Sequence, residues 1–577
     1  MRRTKIVCTL GPASSDIQVL ENIIKSGMNV ARLNFSHGTH ESHLDLINKI
    51  RQVSAKLEIP VAILQDLCGP KIRLGNINHP VELKQGKKFV LYEQDTDGNE
   101  NYASVSYKDL SNDIKQGERV LIDDGLIELK VTSVFKDRIE CEVVTGGEIS
   151  SRKGVNFPDS KLSVTSLTEK DLNDLRFGIK NNVDFIAVSF VRSAKDLVPA
   201  YEVMAKEGSF IPIISKIEKP EALDCIEDIL DKSYGIMVAR GDLGVEMPFE
   251  KVPIVQKKLI SLCRANGKPV ITATQMLDSM IRNPSPTRAE VTDVANAIID
   301  GTDAVMLSGE TASGKYPVEA VYAMAKIAKF TEKSLPYENI ITAVPKSHNA
   351  VEAISLATCE MAYQMSASAI IAFTTSGRTA CSISGFRPKQ RIIAVTDSEK
   401  VQRRLMLYWS VYPIVIDAEY SLIKRFKQVG EKSIEKGFLD NGDLTVLTAG
   451  LPEGTDASTN TIMVQVINGS VLRGEGTAAF RKASGRACVI KNKSEIHTKK
   501  AIGDILVVSD LKEFSREDIN DFVGIISAQS SLPNEKIIED LDIPVVYGVL
   551  KAMELIKNGM FVTADSGKGI VSYSTSN

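Results

Sequence analysis

Short apolar, β-branched runs that end in polar or Gly-rich turns recur eight times before residue 311: TKIVCTLG (4–11), NVARLNFS (29–36), VAILQDL (61–67), FIAVSF (185–190), PIISKIE (212–218), GIMVARGD (235–242), PVITATQ (269–275) and AVMLSGE (304–310). Helical patterns separate most of them, as at 16–27, 196–208 and 252–267. Alternating β and α of this kind predicts a parallel sheet, and near-continuous apolar strands predict one covered by its helices. Eight units predict a closed (β/α)8 TIM barrel. Such barrels assemble their active sites at the C-terminal ends of the strands.

One interval breaks the rhythm, because residues 68–184 separate the third run from the fourth. Within it, 75–155 alternates apolar and polar residues between turns and reads as a small β-domain inserted at the catalytic face, where it can act as a lid. A polar, Pro-containing linker, SLPYENIITAVPKSHN, follows the barrel. The predicted organisation is a barrel from 1–74 and 156–340, an inserted β lid at 75–155, an α/β regulatory domain at 341–473 and a further α/β domain at 474–577.

A net charge of −3 and the absence of a basic run exclude an electrostatic footprint for nucleic acid. The eight cysteines lack C-x-x-C pairing, which reads as reduced thiols. No apolar run reaches membrane-spanning length, and no leader precedes the first strand, so a cytoplasmic protein without membrane contact is expected.

The polar residues at the strand ends suggest the chemistry. Lys216 and Glu218 sit at i and i+2 and so share a face; a lysine among apolar neighbours is expensive unless an anion uses it. Read blandly, the two form a structural ion pair. Glu218 and Asp242 bring carboxylates from adjacent strand ends, a start for a divalent site, since Mg²⁺ accepts one or two carboxylates plus water and substrate oxygens. Gly241 precedes Asp242 at a strand-to-helix turn, where backbone N–H groups can face an anion. Arg32 and Arg73 are read at the ends of the second and third strands, and planar guanidinium groups suit phosphate. Thr274, Ser308 and Glu310 form the polar ends of the last two. The set reads as a site for moving phosphate.

The strings CTLGPAS (8–14), ARLNFSHGTH (31–40), KGVNFP (153–158), SKIEKPEAL (215–223), MVARGDLGVE (237–246), ATQMLDSMIRNPSPTRAE (273–290) and VMLSGETASGKYP (305–317) resemble pyruvate kinase in order and spacing, over roughly residues 1–472. The resemblance implies phosphoryl transfer from phosphoenolpyruvate to ADP, giving pyruvate and ATP, on a barrel with an inserted lid and a C-terminal α/β domain. It implies that Lys216 neutralises the moving phosphoryl group, that Glu218 and Asp242 hold Mg²⁺ or Mn²⁺, and that Arg32, Arg73, Gly241 and Thr274 complete the substrate site. Arg32, Asn34, His37 and Lys153 match nucleotide contacts, although Ser42 stands where relatives often carry an aromatic residue. Asn34, Ser36, Asp66 and Leu67 match the monovalent-cation position. Enolpyruvate must be protonated at carbon, and the resemblance makes Thr274 the hydroxyl that orients a water chain, with Ser308 and Glu310 as relay members. A homotetramer is carried over as the family's usual assembly.

Three departures shape the expectations. Where potassium-dependent members read D-T-K-G-P-E-I-R-T, this chain reads Asp66-Leu67-Cys68-Gly69-Pro70-Lys71-Ile72-Arg73-Leu74, which resembles the potassium-independent branch, with the Lys71 ammonium as ion substitute and K⁺ not required. The string TTSGRTACSISGFRP resembles an effector phosphate loop, with Thr374, Thr375, Ser376, Gly377, Arg378 and Thr379 ahead of a helix; a helix N-cap is the bland reading. Because GLPEGTDASTN carries Glu453 and Asp456 and lacks arginine, a monophosphate such as AMP or a sugar phosphate is expected. The tail, 480–577, resembles the swivelling domain of phosphoenolpyruvate-utilising enzymes, but no histidine follows His497 to carry phosphate. Two other readings are a lyase or aldolase acting on pyruvate enolate, against which the lid, Lys153 and Lys216 argue, and a silent regulatory subunit, against which the intact Lys216, Glu218, Asp242 and Thr274 argue.

Overall fold

All eight apolar runs form strands, β1 (Lys5–Leu10), β2 (Val30–Asn34), β3 (Ala62–Asp66), β4 (Phe185–Val188), β5 (Ile213–Ile217), β6 (Gly235–Ala239), β7 (Val270–Ala273) and β8 (Ala304–Leu307), in the computed structural model. It describes residues 1–337, 349–417, 422–440, 443–450, 459–467, 470–477, 481–531 and 542–573. The eight are parallel and close into a barrel, with β1 pairing β2 on one side and β8 on the other.

The two-residue period of a strand explains how the barrel is filled. Residues of one parity, among them Ile6, Ala31, Ile63, Ile186, Ile213, Ile236, Val270 and Val305, pack with the surrounding helices in one buried cluster. Residues of the other parity, including Val7, Val30, Leu64, Phe185, Ile214, Met237, Ile271 and Met306, form the core inside the barrel. Two steps further along the inward register the chain turns polar, to Thr9, Arg32, Asp66, Ser189 and Lys216. The same alternation that seals the lower barrel therefore stacks a polar layer on it at the C-terminal ends.

Below the apolar layers lies Lys5, fully buried and donating to the Val411 carbonyl at 2.6 Å. Residues 400–411 belong to the same compact unit as the barrel, and their Met406 and Leu407 join its inner core.

Residues between β3 and β4 build the expected β-rich insertion. A six-stranded sheet runs in the order Val155–Asn156, Arg119–Ile122, Ile127–Phe135, Arg138–Thr145, Lys88–Tyr92, Tyr102–Ser104, and Val81–Leu83 pairs with Gly147–Ile149. The insertion has its own core of Leu74, Phe89, Leu91, Leu129, Ile139, Cys141 and Phe157. Arg73 belongs here. Contrary to the sequence reading, it does not end β3, which stops at Asp66; it bridges Gly154 at the edge of the insertion.

The second compact unit contains two sheets. One is five-stranded, in the order Val411–Val415, Arg391–Thr396, Ala369–Phe373, Leu444–Ala449, Thr461–Val466; its central three are parallel and its last is antiparallel. The strand Val411–Val415 was not among the sequence expectations. The other sheet has eight strands, including Ile505–Val508, Gly524–Ser527 and Val545–Tyr547. Ser470–Arg473 also joins it, so this sheet starts before residue 474.

Lys5 yields a pH test. Burial pushes its pKa down to about 7, with Arg2 adding to the effect. As pH falls from the ordinary lysine value of 10.5 to about 7, the unfolded chain takes up a proton that the folded one does not, so folding loses stability across that window. The stability of Lys5→Met relative to the native chain is expected to improve as pH is lowered through this range and to stop changing below about 7. Thermal unfolding of both chains over a pH series measures it; a gap independent of pH would mean that Lys5 is charged in the fold.

Candidate active site

At the C-terminal ends of β3, β4 and β5, three elements converge on one ammonium. Lys216 Nζ lies 2.9 Å from Glu218 Oε1, 3.3 Å from Asp66 Oδ1 and 2.8 Å from the Ser189 hydroxyl. Arg32 reaches the other side of the same carboxylate, Nε to Asp66 Oδ2 at 2.7 Å, and donates to Thr9 Oγ1 at 2.8 Å. Burial alone would drive the lysine neutral, but Asp66 and Glu218 outweigh it and hold its pKa above the usual lysine value. Asp66 is likewise buried, and Lys216 and Arg32 overcome that burial to hold its pKa below the carboxylate range. The result is a permanently charged, preorganised cation pair, Lys216 and Arg32, across one carboxylate.

Glu218 behaves differently. Burial raises its pKa, and the charge of Asp242 adds to this against the pull of Lys216 and the Phe190 N–H, which donates to Oε2 at 2.7 Å. Two carboxylates from adjacent strand ends fit a divalent cation, which would offset the repulsion that Asp242 exerts on Glu218. Among the described residues no group of three or more His, Cys, Asp or Glu could hold a metal; an ion here would rest on Glu218 and Asp242, with substrate and water supplying the remaining oxygens.

Thr274 follows β7 in the left-handed region, φ +66°, and Gln275 shares it, φ +54°. A β-branched residue there is strained, by about 1–3 kcal/mol, and persists only when its surroundings dictate it. Arg240 dictates it here. Its Nε donates to the Ala273 carbonyl at 3.1 Å and its Nη2 to the Thr274 carbonyl at 2.7 Å, while Nη1 is anchored on Asp293 at 2.7 Å. The Thr274 hydroxyl donates to Ala273 O and accepts the Gly241 N–H, both at 2.7 Å. This alters the expectation for Gly241, whose N–H faces the threonine rather than open space. The threonine hydrogen is itself engaged, so the hydroxyl is better placed to accept from a water than to give up a proton. Glu310 is buried, and burial raises its pKa; its two oxygens take the Leu277 and Ser308 N–H groups at 3.0 and 2.7 Å. That ties the segments after β7 and β8 together, a positioning task rather than the expected relay. The Ser308 hydroxyl is buried and without a hydrogen-bond partner among the described residues.

The remaining expected residues are spread more widely. Asn34 lies opposite Asp66 in the β2–β3 register and accepts the Ser36 N–H at 3.1 Å, which groups three of the four residues of the monovalent position. Leu67 is buried, and its carbonyl accepts the Ser189 hydroxyl at 2.7 Å. His37 is exposed at the start of the next loop. Lys71 is exposed and lines a cleft with Asn156, Phe190, Lys219, Asp242 and Glu246; the ion pairs of Asp66 go to Arg32 and Lys216, not to Lys71. The insertion keeps Lys153 on Asp123 at 2.6 Å and Arg73 on the Arg152 carbonyl at 2.9 Å, so neither is brought to Lys216. Thr374 Oγ1 accepts the N–H of Gly377, itself at φ +90°, ahead of the helix Arg378–Gly385; Thr375, Ser376 and Arg378 are exposed, and Thr379 meets Thr459 at 2.6 Å. Glu453 and Asp456 lie outside the described residues, as do residues 532–541.

Sequence reasoning missed Ser189, Arg240, Lys219, Glu246 and Asn156. Each lies inside a string already singled out, but no spacing rule assigns a role to the second polar residue of a motif when only its neighbour has an obvious chemistry.

The family description "Pyruvate kinase, barrel domain" matches residues 1–321, and "Pyruvate kinase, alpha/beta domain" matches 352–465. The pyruvate kinase of Staphylococcus epidermidis (strain RP62A) is 42% identical over 578 residues, covering 99% of each chain. That of Staphylococcus aureus (strain MRSA252) is 43% identical over 576 residues, covering 99% of this chain and 98% of that protein.

The Arg240 clamp makes a prediction. Arg240→Met is expected to free the Thr274 turn and lower kcat by about tenfold or more, in keeping with the sensitivity of catalysis to misplacement of about 1 Å, while Arg240→Lys recovers only part because a single ammonium lacks the planar fork that reaches both carbonyls and Asp293 together. Steady-state kinetics with a circular dichroism control checks it. Unchanged kcat in a folded Arg240→Met chain would show that the turn holds without the clamp.

Proposed function

This chain belongs to the pyruvate kinase family, and from that premise we propose which of its residues carry each part of the family's reaction. The chain is a phosphotransferase that moves the phosphoryl group of phosphoenolpyruvate to ADP, giving pyruvate and ATP in the last step of glycolysis. The observation that carries the assignment of roles is the buried Lys216 ammonium, held charged by Asp66 and Glu218 at the mouth of the barrel.

Phosphoryl transfer leaves a protein little covalent work, so catalysis is positioning plus neutralisation of charge on the moving group. Lys216 and Arg32 supply fixed positive charge on one side, and Arg73 would join them if the insertion brings it over the barrel. The family generally uses a divalent metal; Glu218 and Asp242 are the residues that would hold Mg²⁺ or Mn²⁺, whose chemistry is to neutralise the phosphoryl and enolate oxygens. The substrate lies against Gly241, Asp242 and Thr274, and Thr274 orients the water that delivers a proton to carbon. Asn34, His37 and Lys153, with Arg32, serve the nucleotide. Ser308 and Glu310 support the Thr274 side.

The buried Leu67 and the exposed Lys71, which makes no salt bridge among the described residues, support activity without K⁺, with Asn34, Ser36 and Asp66 keeping the rest of the site. The loop Thr374–Thr379 is proposed to take one phosphate of an effector such as AMP or a sugar phosphate. A homotetramer and a cytoplasmic location are proposed by analogy with the family's usual form. No helix of the described residues is long and apolar enough to cross a membrane. The proposed domains are 1–74 with 156–340, 75–155, 341–473 and 474–577, adjusted where Arg73 and Leu74 pack with the insertion and Ser470–Arg473 pairs into the tail sheet, and the tail is assigned a structural role.

Two predictions follow from the roles. A coupled assay of ATP and pyruvate formation is expected to show activity that Lys216→Met lowers by at least about 10²–10³ in kcat, the cost typical of one lost preorganised donor, with phosphoenolpyruvate binding changed far less. Turnover near the native value would remove Lys216 from the mechanism. At matched ionic strength, activity in Na⁺ or a bulky organic cation is expected to equal that in K⁺, and Lys71→Glu to lower it, with K⁺ restoring part. An enzyme idle without K⁺ would refute the role of Lys71.

A further inference from the structure

Between the barrel and the insertion three side chains meet in a place the reaction does not itself use. Lys219 Nζ lies 2.8 Å from Glu246 Oε1, with the two side chains 10% and 1% exposed. Asn156 Nδ2 donates to the same oxygen at 2.7 Å. Glu246 Oε2 is buried with no hydrogen-bond partner among the described residues. The three residues come from three different segments. Lys219 directly follows Glu218. Glu246 ends the short helix Arg240–Glu246, one turn after Asp242. Asn156 lies in the strand Val155–Asn156, at the return of the insertion.

A buried carboxylate is expensive, and removing one partner of a buried pair leaves an uncompensated charge. Here the pair spans the two segments that carry Glu218 and Asp242, so its geometry sets the separation of those carboxylates. The third bond connects that setting to the insertion. We propose that Glu246 is a positioning residue that joins the Glu218 and Asp242 segments to the insertion, so that divalent-ion affinity and the placement of the lid depend on one another. This rests on Glu218 and Asp242 as the metal carboxylates. Groups orienting metal ligands typically contribute 10–100-fold in affinity, and coupling between two sites is reciprocal.

The test measures Mn²⁺ binding to the full chain by titration, and hydrogen exchange of residues 119–156 with and without Mg²⁺ and ADP. Asp242→Asn serves as the control for the metal reading; if it binds Mn²⁺ like the native chain, that reading fails, independently of the coupling. With the control behaving, Glu246→Gln is expected to weaken Mn²⁺ by about tenfold or more. Should Glu246→Gln not fold, the double replacement Lys219→Met with Glu246→Leu, which removes both charges at similar volume, is expected to fold and show the same weakening. Asn156→Ala, which leaves the ion pair intact, is expected to lose most of the metal-dependent slowing of exchange in the insertion and to raise the KM for Mg²⁺ more than it lowers kcat. Native Mn²⁺ affinity in the Glu246 variant or its double replacement, or full metal-dependent slowing in Asn156→Ala, would overturn the proposal.

Discussion

A lysine enclosed by barrel strands has to be compensated where it sits, and the neutralisation of Lys216 organises everything around it. Asp66 from β3 and Glu218 from β5 balance its charge, Ser189 from β4 takes one of its hydrogens, and Arg32 from β2 shares Asp66. Four consecutive strands are thereby fixed to each other at the end where the apolar packing stops. The barrel below supplies rigidity; the charge network supplies register for the reacting groups. The positive charge is therefore in place before an anion arrives, and what remains is for one of its three N–H groups to turn from a present acceptor to the anion.

Much of this was legible in the sequence because two simple periods wrote it. The eight apolar runs became the eight strands, and the spacing of Lys216 and Glu218 placed their side chains together, 2.9 Å apart. The bland reading of that pair as an ion pair is true as well as the functional one; the compensation of the charge is what lets it be used. What the sequence did not disclose depends on contacts between residues distant in the chain. Arg240 acts on Thr274 from 34 residues away, and Asn156 meets Glu246 across 90. Arg73 was misplaced for a related reason: the polar string after Asp66 gives no sign of where a barrel strand yields to the edge of an inserted sheet. Glu310 looked like a proton relay because it is a carboxylate at a strand end, whereas its oxygens are both occupied by backbone N–H groups.

The left-handed pair Thr274 and Gln275 shows how the chain stores local strain where the chemistry is expected and supports it from outside. The hydroxyl is held between the Gly241 N–H and the Ala273 carbonyl, so its orientation is set by backbone groups rather than by rotamer preference. A free hydroxyl would sample three wells; this one samples far fewer.

In the tail, Ser470–Arg473 lies antiparallel against Ile570–Tyr573, so the first and last strands of the eight-stranded sheet are neighbours. Between them, Lys482–Ile490 runs antiparallel to Phe561–Asp565 over its first half and parallel to Ile505–Val508 over its second. A module whose entrance and exit are stitched together occupies a single point of attachment on the chain that carries it. Such a module can be gained, lost or exchanged between proteins by recombination at one place without disturbing the connections elsewhere, whereas loss of Ile570–Tyr573 alone takes away the strand between Ser470–Arg473 and Phe561–Asp565 and opens a new sheet edge to other chains.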